Sequence, residues 1–196
     1  MKKLIITLSA AAVCGTASIA AEGVAGFAEV GPGVFSHNGT IFGNTKISGG
    51  QYGGQATAGV YLGESDLGAF RLAGTAGAYY SNGGNSDSIK RFSAPFLASA
   101  AYEFNLSPVR LRVGPAAGFT YINWDWTERH NYGWFSVTYD VNVSKAYFTY
   151  GGLAGLSVDL TDNVYLAADY KYLCVASSDV KGYNGHVVTL GVGFNF

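Results

Sequence analysis

His186-Val187-Val188-Thr189-Leu190-Gly191-Val192-Gly193-Phe194-Asn195-Phe196 closes the chain and alternates strictly in character. Side chains of an extended strand point to alternate faces. Val188, Leu190, Val192, Phe194 and Phe196 therefore share one face, and Thr189, Gly191, Gly193 and Asn195 share the other. One face is apolar to its last residue, while the other is small or polar. Chain ends are usually polar and poorly ordered, so a strand of this kind needs a partner for its backbone and an apolar medium for its oily face.

The same alternation recurs upstream. No window beyond the N-terminal region shows helical periodicity, and the 28 glycines, 14 tyrosines and 12 phenylalanines make a composition of strands and turns. Eight strands are expected, at about 23–35, 49–62, 67–80, 91–104, 109–123, 145–158, 163–175 and 184–196. Their connections alternate in length. Gly63-Glu64-Ser65-Asp66, Asn105-Leu106-Ser107-Pro108 and Asp159-Leu160-Thr161-Asp162 are tight turns built from residues suited to turn geometry. The connections at about 36–48, 81–90, 124–144 and 176–183 are longer. Short turns at one end and long loops at the other are the layout of a transmembrane barrel, with both termini on the short-turn, periplasmic side.

The faces point the same way. Phe92, Ala94, Phe96, Ala98, Ala100, Tyr102 and Phe104 line one face of the fourth strand, and Val164, Leu166, Ala168, Tyr170, Tyr172 and Cys174 one face of the seventh. Neither carries a charge. The opposite faces hold Glu29, Arg71, Glu103, Arg110, Arg112, Asp169 and Lys171 among glycines and small residues. A soluble barrel would turn its apolar face inward. Here the apolar face holds the bulk and ends in aromatics, with Tyr80, Phe92, Phe96, Tyr121, Phe148 and Tyr172 toward one rim and Phe70, Tyr102, Phe104, Phe194 and Phe196 toward the other. Paired aromatic girdles mark a surface that faces lipid. The expected fold is all-β: an eight-stranded antiparallel up-and-down transmembrane β-barrel. In lipid such a barrel must close, because an unpaired backbone group finds no water there.

The N-terminus is consistent with export. Lys2 and Lys3 precede the apolar run Leu4 to Val13, and Ser18-Ile19-Ala20-Ala21 offers a small-residue cleavage region. The apolar run is too short to cross a bilayer as a helix. A signal peptide over 1–21, cleaved after Ala20 or Ala21, and a barrel domain over 22–196 are expected, and Val13 argues against lipidation of Cys14. Losing Lys2 and Lys3 takes the 12 basic residues to 10, against 13 acidic ones, which gives no reason to expect nucleic acid. Cys174 would be the sole remaining cysteine, so no internal disulfide can form. Its position puts it on the lipid face near the outer rim.

With its signal, eight strands, loop rhythm and terminal Phe196 after alternating apolar residues, the chain resembles the OmpA-like or opacity-type eight-stranded barrels of Gram-negative outer membranes. The resemblance covers the mature chain. It implies residence in the outer membrane, surface-exposed loops, and a terminal strand, including Phe194 and Phe196, that the barrel assembly machinery reads. The chain departs from full-length OmpA proteins in ending where the barrel closes, so peptidoglycan binding is not implied.

Several chemistries compete for the function. An eight-stranded barrel has an interior that side chains just fill, and the near-balanced set Glu29, Arg71, Glu103, Arg110, Arg112, Asp169 and Lys171 suits a paired plug better than a pore, which would display a ring of one sign. Lipid-modifying enzymes occur on small barrels, yet His37 and His130 fall in expected loops and His186 at the start of the last strand, with no Ser/His/acid arrangement within one strand. Three scattered histidines give no metal-ligand spacing, and no helix follows Gly49-Gly50 or Gly53-Gly54 to seat a phosphate, so neither metal nor cofactor is expected and no catalytic residue is assigned. The third long loop holds all 3 tryptophans. Trp124, Trp126, Arg129, Tyr132, Trp134 and Phe135 form a candidate recognition surface; the alternative is an extended hairpin on which the tryptophans pack. A phase change between Val143 and Ala146 suggests a bulge where that segment enters the membrane. The expectation is an outer-membrane protein with a structural or surface-interaction role, partnered by membrane lipid and an extracellular surface or ligand. A narrow passive pore is the alternative, and a lipid-modifying enzyme a more distant one.

Overall fold

The structure, a computed structural model, describes residues 25–41, 45–82, 90–177 and 180–196, in some of them the backbone alone. The expected signal peptide lies outside these residues. Eight strands run in chain order: β1 (Gly26–Ile41), β2 (Thr45–Ser65), β3 (Gly68–Asn82), β4 (Lys90–Leu106), β5 (Val109–Tyr132), β6 (Phe135–Asp159), β7 (Val164–Val175) and β8 (Val180–Asn195). Each pairs antiparallel with its neighbours, and β8 returns to β1 to close the barrel. This closure orders the apolar C-terminal strand. Val30 pairs with Val192 and Phe27 with Asn195, and Gly26 and Phe196 exchange two backbone hydrogen bonds of 2.7 and 2.9 Å.

Over the stretch that would cross the bilayer, the outward face is apolar and carries exposed side chains such as Phe70 at 59%, Phe119 at 56% and Leu190 at 63%. In water such a surface would be an aggregation liability; in a bilayer it is the lipid contact. Aromatic pairs mark its two rims. Phe70 sits edge-on to Tyr102, which contacts Phe104, at the short-turn end, and Phe92 meets Tyr121 toward the other. Phe194 and Phe196 are half exposed on the same outer face. Cys174 lies on the outer face of β7, opposite Tyr150 and Asn184. In the folded protein a lipid-soluble maleimide is expected to label Cys174 readily and a charged, impermeant one slowly. Fast labelling by the charged reagent alone would mean that β7 is turned the other way.

Three expectations about the strands need correction. First, the strands are longer than anticipated at the long-loop end. β1 runs to Ile41 and β2 starts at Thr45, and most of the expected loop 124–144 is strand. β5 and β6 form one ladder from Val109↔Val158 to Tyr132↔Phe135, closed by Gly133–Trp134 with Gly133 at φ 71°. A glycine at positive φ suits a two-residue hairpin loop.

Second, no bulge interrupts this ladder at Val143, since Asn123↔Ser144 and Trp124↔Val143 follow in unbroken register. The apolar residues change faces instead. Outside the bilayer the outward face carries polar residues, with Tyr121 bonded to Ser144, Asp125 to Asn142 and Thr127 to Asp140, while Val143 is buried on the lumen side. Third, the inward face is not merely small. Phe27, Phe35, Tyr79, Trp124, Tyr147 and Tyr165 are all buried within the barrel. Glycines on neighbouring strands make room for these rings: a Cβ on Gly185 would stand 2.3 Å from the Phe35 ring, and one on Gly193 2.2 Å from Tyr165.

Candidate functional site

The lumen is filled in two layers. The lower layer, toward the short turns, is ionic. Glu29 on β1, Arg71 on β3, Glu103 on β4, Arg112 on β5, and Asp169 and Lys171 on β7 are all buried on the inner face. Their register brings them together. Glu103 is the cross-strand partner of Arg112, which pairs in turn with Gly155, and Gly155 with Asp169. Gly155 is the gap in this row: a Cβ there would lie 2.2 Å from Asp169 Oδ1 and 2.6 Å from Arg112 Nε. Having no side chain, it lets the guanidinium reach across one strand.

Arg112 is the hub. Its Nη2 lies 2.7 Å and its Nε 2.8 Å from Asp169 Oδ1, and its Nη1 lies 3.0 Å from Glu29 Oε1 and 3.7 Å from Glu103 Oε2. Arg71 joins the same acids, at 2.8 Å from Glu29 and 3.3 Å from Glu103, and stacks 3.6 Å over the Phe27 ring. The Tyr165 hydroxyl donates to Glu29 at 3.0 Å. Lys171 donates to Gln55 at 3.0 Å and stands 3.9 Å from Asp169. Arg110 lies at the rim, bridging Glu103 at 3.0 Å and Asp159. Asp159 was missed in sequence because it falls in an expected turn. With it, four acids face four bases, and each charge has an opposite partner in reach. Buried charges require such compensation. The cavity among Glu29, Arg71, Arg112, Asp169 and Lys171 is about 20 Å³, room for one water, since a water needs at least roughly 10–15 Å³.

Above the ions lies an apolar layer. Phe35, Tyr79, Leu97, Ile122, Trp124, Tyr147, Leu173 and Val187 form one buried cluster to which every strand except β2 contributes. Gln51 of β2, fully buried, stands opposite Phe35. Trp124 therefore leaves the candidate recognition surface. It is 0% exposed, its ring centroid 4.8 Å from that of His37, and its Nε1 points to Ser93 Oγ at 3.4 Å. β5 does not stop at residue 123, so Trp124 keeps the inward phase of Thr120 and Ile122. His37 is corrected likewise: it is a buried residue of β1, not a solvated loop histidine.

The other expected surface residues divide. Trp126 and Arg129 belong to β5, opposite Val141 and Thr138, and their side chains lie outside the described set. Tyr132, Trp134 and Phe135 form the exposed tip. Tyr132 stacks on Phe135 at 5.3 Å, Trp134 meets Phe135 edge-on at 5.4 Å, and Trp134 is 94% exposed. His130 is in β5, and His186 in β8 is hydrogen-bonded to the Tyr170 hydroxyl at 2.7 Å on the outer face. Among the described residues no cluster of three His, Cys, Asp or Glu side chains could hold a metal ion.

Known proteins share this architecture. No curated sequence matches the chain. Neisserial surface protein A superposes with a TM-score of 0.60 at 23% identity, over 89% of this chain and 100% of its own. Ail, the attachment invasion locus protein of Yersinia pestis, gives 0.55 at 15% identity, over 87% and 99%. A major outer membrane protein from Thermus thermophilus gives 0.55 at 13%, over 86% and 99%. At these identities the likeness is one of fold. The family described as "Outer membrane protein beta-barrel domain" matches residues 6–196. That match takes in all eight strands, and the apolar exterior and polar interior suit such a domain. The chain belongs to this outer-membrane β-barrel family.

Proposed function

We propose that this protein is a closed barrel with a structural role in the outer membrane and a surface-contact role carried by the β5–β6 hairpin. The observation that carries the first half is the double filling of the lumen. Charges that would line a conducting path are neutralised by one another, and the buried apolar cluster lies across the path above them. A selective pore would instead present unpaired charge of one sign to water. The second half rests on the tip, where three aromatic side chains stand exposed at the end of the longest hairpin.

Both halves can be tested on one preparation and one strain. The purified, refolded protein in planar bilayers is expected to show no steady single-channel conductance. Cells displaying the wild type are expected to adhere to a mammalian cell monolayer several-fold better than cells displaying Tyr132→Ser/Trp134→Ser/Phe135→Ser at equal surface levels. Steady conductance would make the narrow pore the better reading. Equal adhesion would remove the surface-contact role.

A further inference from the structure

The hairpin tip has the chemistry of a membrane-seeking element. From Asn131 to Tyr139 the sequence reads Asn-Tyr-Gly-Trp-Phe-Ser-Val-Thr-Tyr, without a charge. Within it Tyr132, Trp134, Phe135 and Tyr139 are all exposed, Trp134 the most so at 94%. Trp and Tyr are the side chains that concentrate at membrane–water interfaces, where an amphipathic ring meets both media. The hairpin is also long enough to leave its own membrane. Asn123, just past the Tyr121 girdle, pairs with Ser144, and the ladder continues to Tyr132↔Phe135. Those nine steps amount to about 30 Å of strand at roughly 3.3 Å per residue.

Two further features favour a bilayer over a glycan or a protein. Among the described residues, two polar pairs below the tip bond within the hairpin: Thr127 holds Asp140 at 3.0 Å, and Asp125 holds Asn142. A sugar would need such groups as donors and acceptors. The tip is also convex and tight, with a two-residue loop between the last pair. A convex apolar tip offers no pocket to an anchor from a protein partner, whereas a fluid interface closes around it. Past Lys90↔Asp125 and Thr149↔Val175 the two hairpin strands pair, among the described residues, only with each other, so their open outer edges confine the tip to the hydrated headgroup region.

We propose that Tyr132, Trp134 and Phe135 insert into the headgroup region of an apposed lipid bilayer, making the hairpin a bridge between two membranes. This rests on the surface-contact reading above and names its partner. The probe is a vesicle of phosphatidylcholine with brominated acyl chains, offered to the full barrel held in lipid nanodiscs free of bromine. Vesicle flotation and tryptophan quenching are read together. The wild type is expected to float at least tenfold more than Tyr132→Ser/Trp134→Ser/Phe135→Ser, and bromine is expected to quench part of its emission. Trp134→Phe should still float while losing that quenched component, which shows that the emission change arises at the tip. All three tip changes lie in solvent, so heat-modifiable gel mobility should confirm a folded barrel in each. Wild type that does not float, or a triple variant that floats equally, overturns the proposal. If adhesion to cells depends on the tip while vesicles are ignored, the surface-contact reading stands and the lipid partner falls. If adhesion is independent of the tip as well, both fall.

Discussion

Arg112→Ala is expected to lower the stability of the folded barrel by about 3–5 kcal/mol, the usual cost of breaking a buried ion pair from one side, while leaving it non-conducting. The size follows from what remains. Glu29 would keep Arg71 and the Tyr165 hydroxyl, and Glu103 would keep Arg71 and Arg110. Asp169 would keep only Lys171, at 3.9 Å. Its carboxylate becomes the uncompensated charge. Thr120→Ala is the control, since it removes the neutral hydrogen bond that Thr120 accepts from Thr149, a loss of about 1 kcal/mol.

A second variant separates charge from packing. In Arg112→Met/Asp169→Leu the acid leaves with its partner, and replacing a buried pair by apolar groups of similar volume is often neutral. Part of the lost stability should return, short of the whole because Lys171 loses its acid and keeps only Gln55. Urea titration of the three variants and wild type in the same detergent, followed by tryptophan emission, is the measurement. A loss below about 1 kcal/mol for Arg112→Ala would mean that water already solvates the site, as in a wet lumen.

How much of this was visible in the sequence depends on which force shaped each position. The lipid-facing pattern was plain, because a bilayer imposes one rule on membrane-embedded outward residues such as Leu166 and Leu190. Alternation alone then assigned Glu29, Arg71, Glu103, Arg112, Asp169 and Lys171 to the inside. Their partners were not visible. Whether Arg112 meets Asp169 depends on the stagger of β5, β6 and β7 and on the absence of a side chain at Gly155. The upper layer was missed for a different reason. Beyond the girdle the outward face turns polar, as at Asp125 and Asn142, so the apolar residues trade sides and strand periodicity looks broken at Val143. A change of solvent across one continuous strand mimics a loop. That is why Trp124 and His37 looked like surface residues when they are among the most buried in the barrel.

Trp124→Ala is expected to cost a further large step in stability, about 3–5 kcal/mol for truncating a fully buried aromatic. Its ring packs against His37 and belongs to the cluster that includes Ile122 and Tyr147, and no other side chain in that layer has its volume. Trp124→Phe keeps an aromatic ring and loses the weak bond to Ser93 and part of the ring volume, so it should cost less. The two layers also make a specific prediction about conductance. Arg112→Ala leaves the apolar layer whole, and Trp124→Ala leaves the ion pairs whole, so neither alone opens a continuous path. Together they should. Arg112 and Trp124 lie twelve residues apart on β5, about 40 Å of strand at roughly 3.3 Å per residue, so their stability losses should add. Single-channel recording on the wild type, both single variants and the double variant should therefore show steady current in the double variant alone. If Arg112→Ala by itself conducts, the apolar cluster is no seal and the ion network is the only plug. If the double variant folds, by heat-modifiable mobility, and still carries no current, the path is blocked elsewhere and the two-layer account of the lumen is wrong.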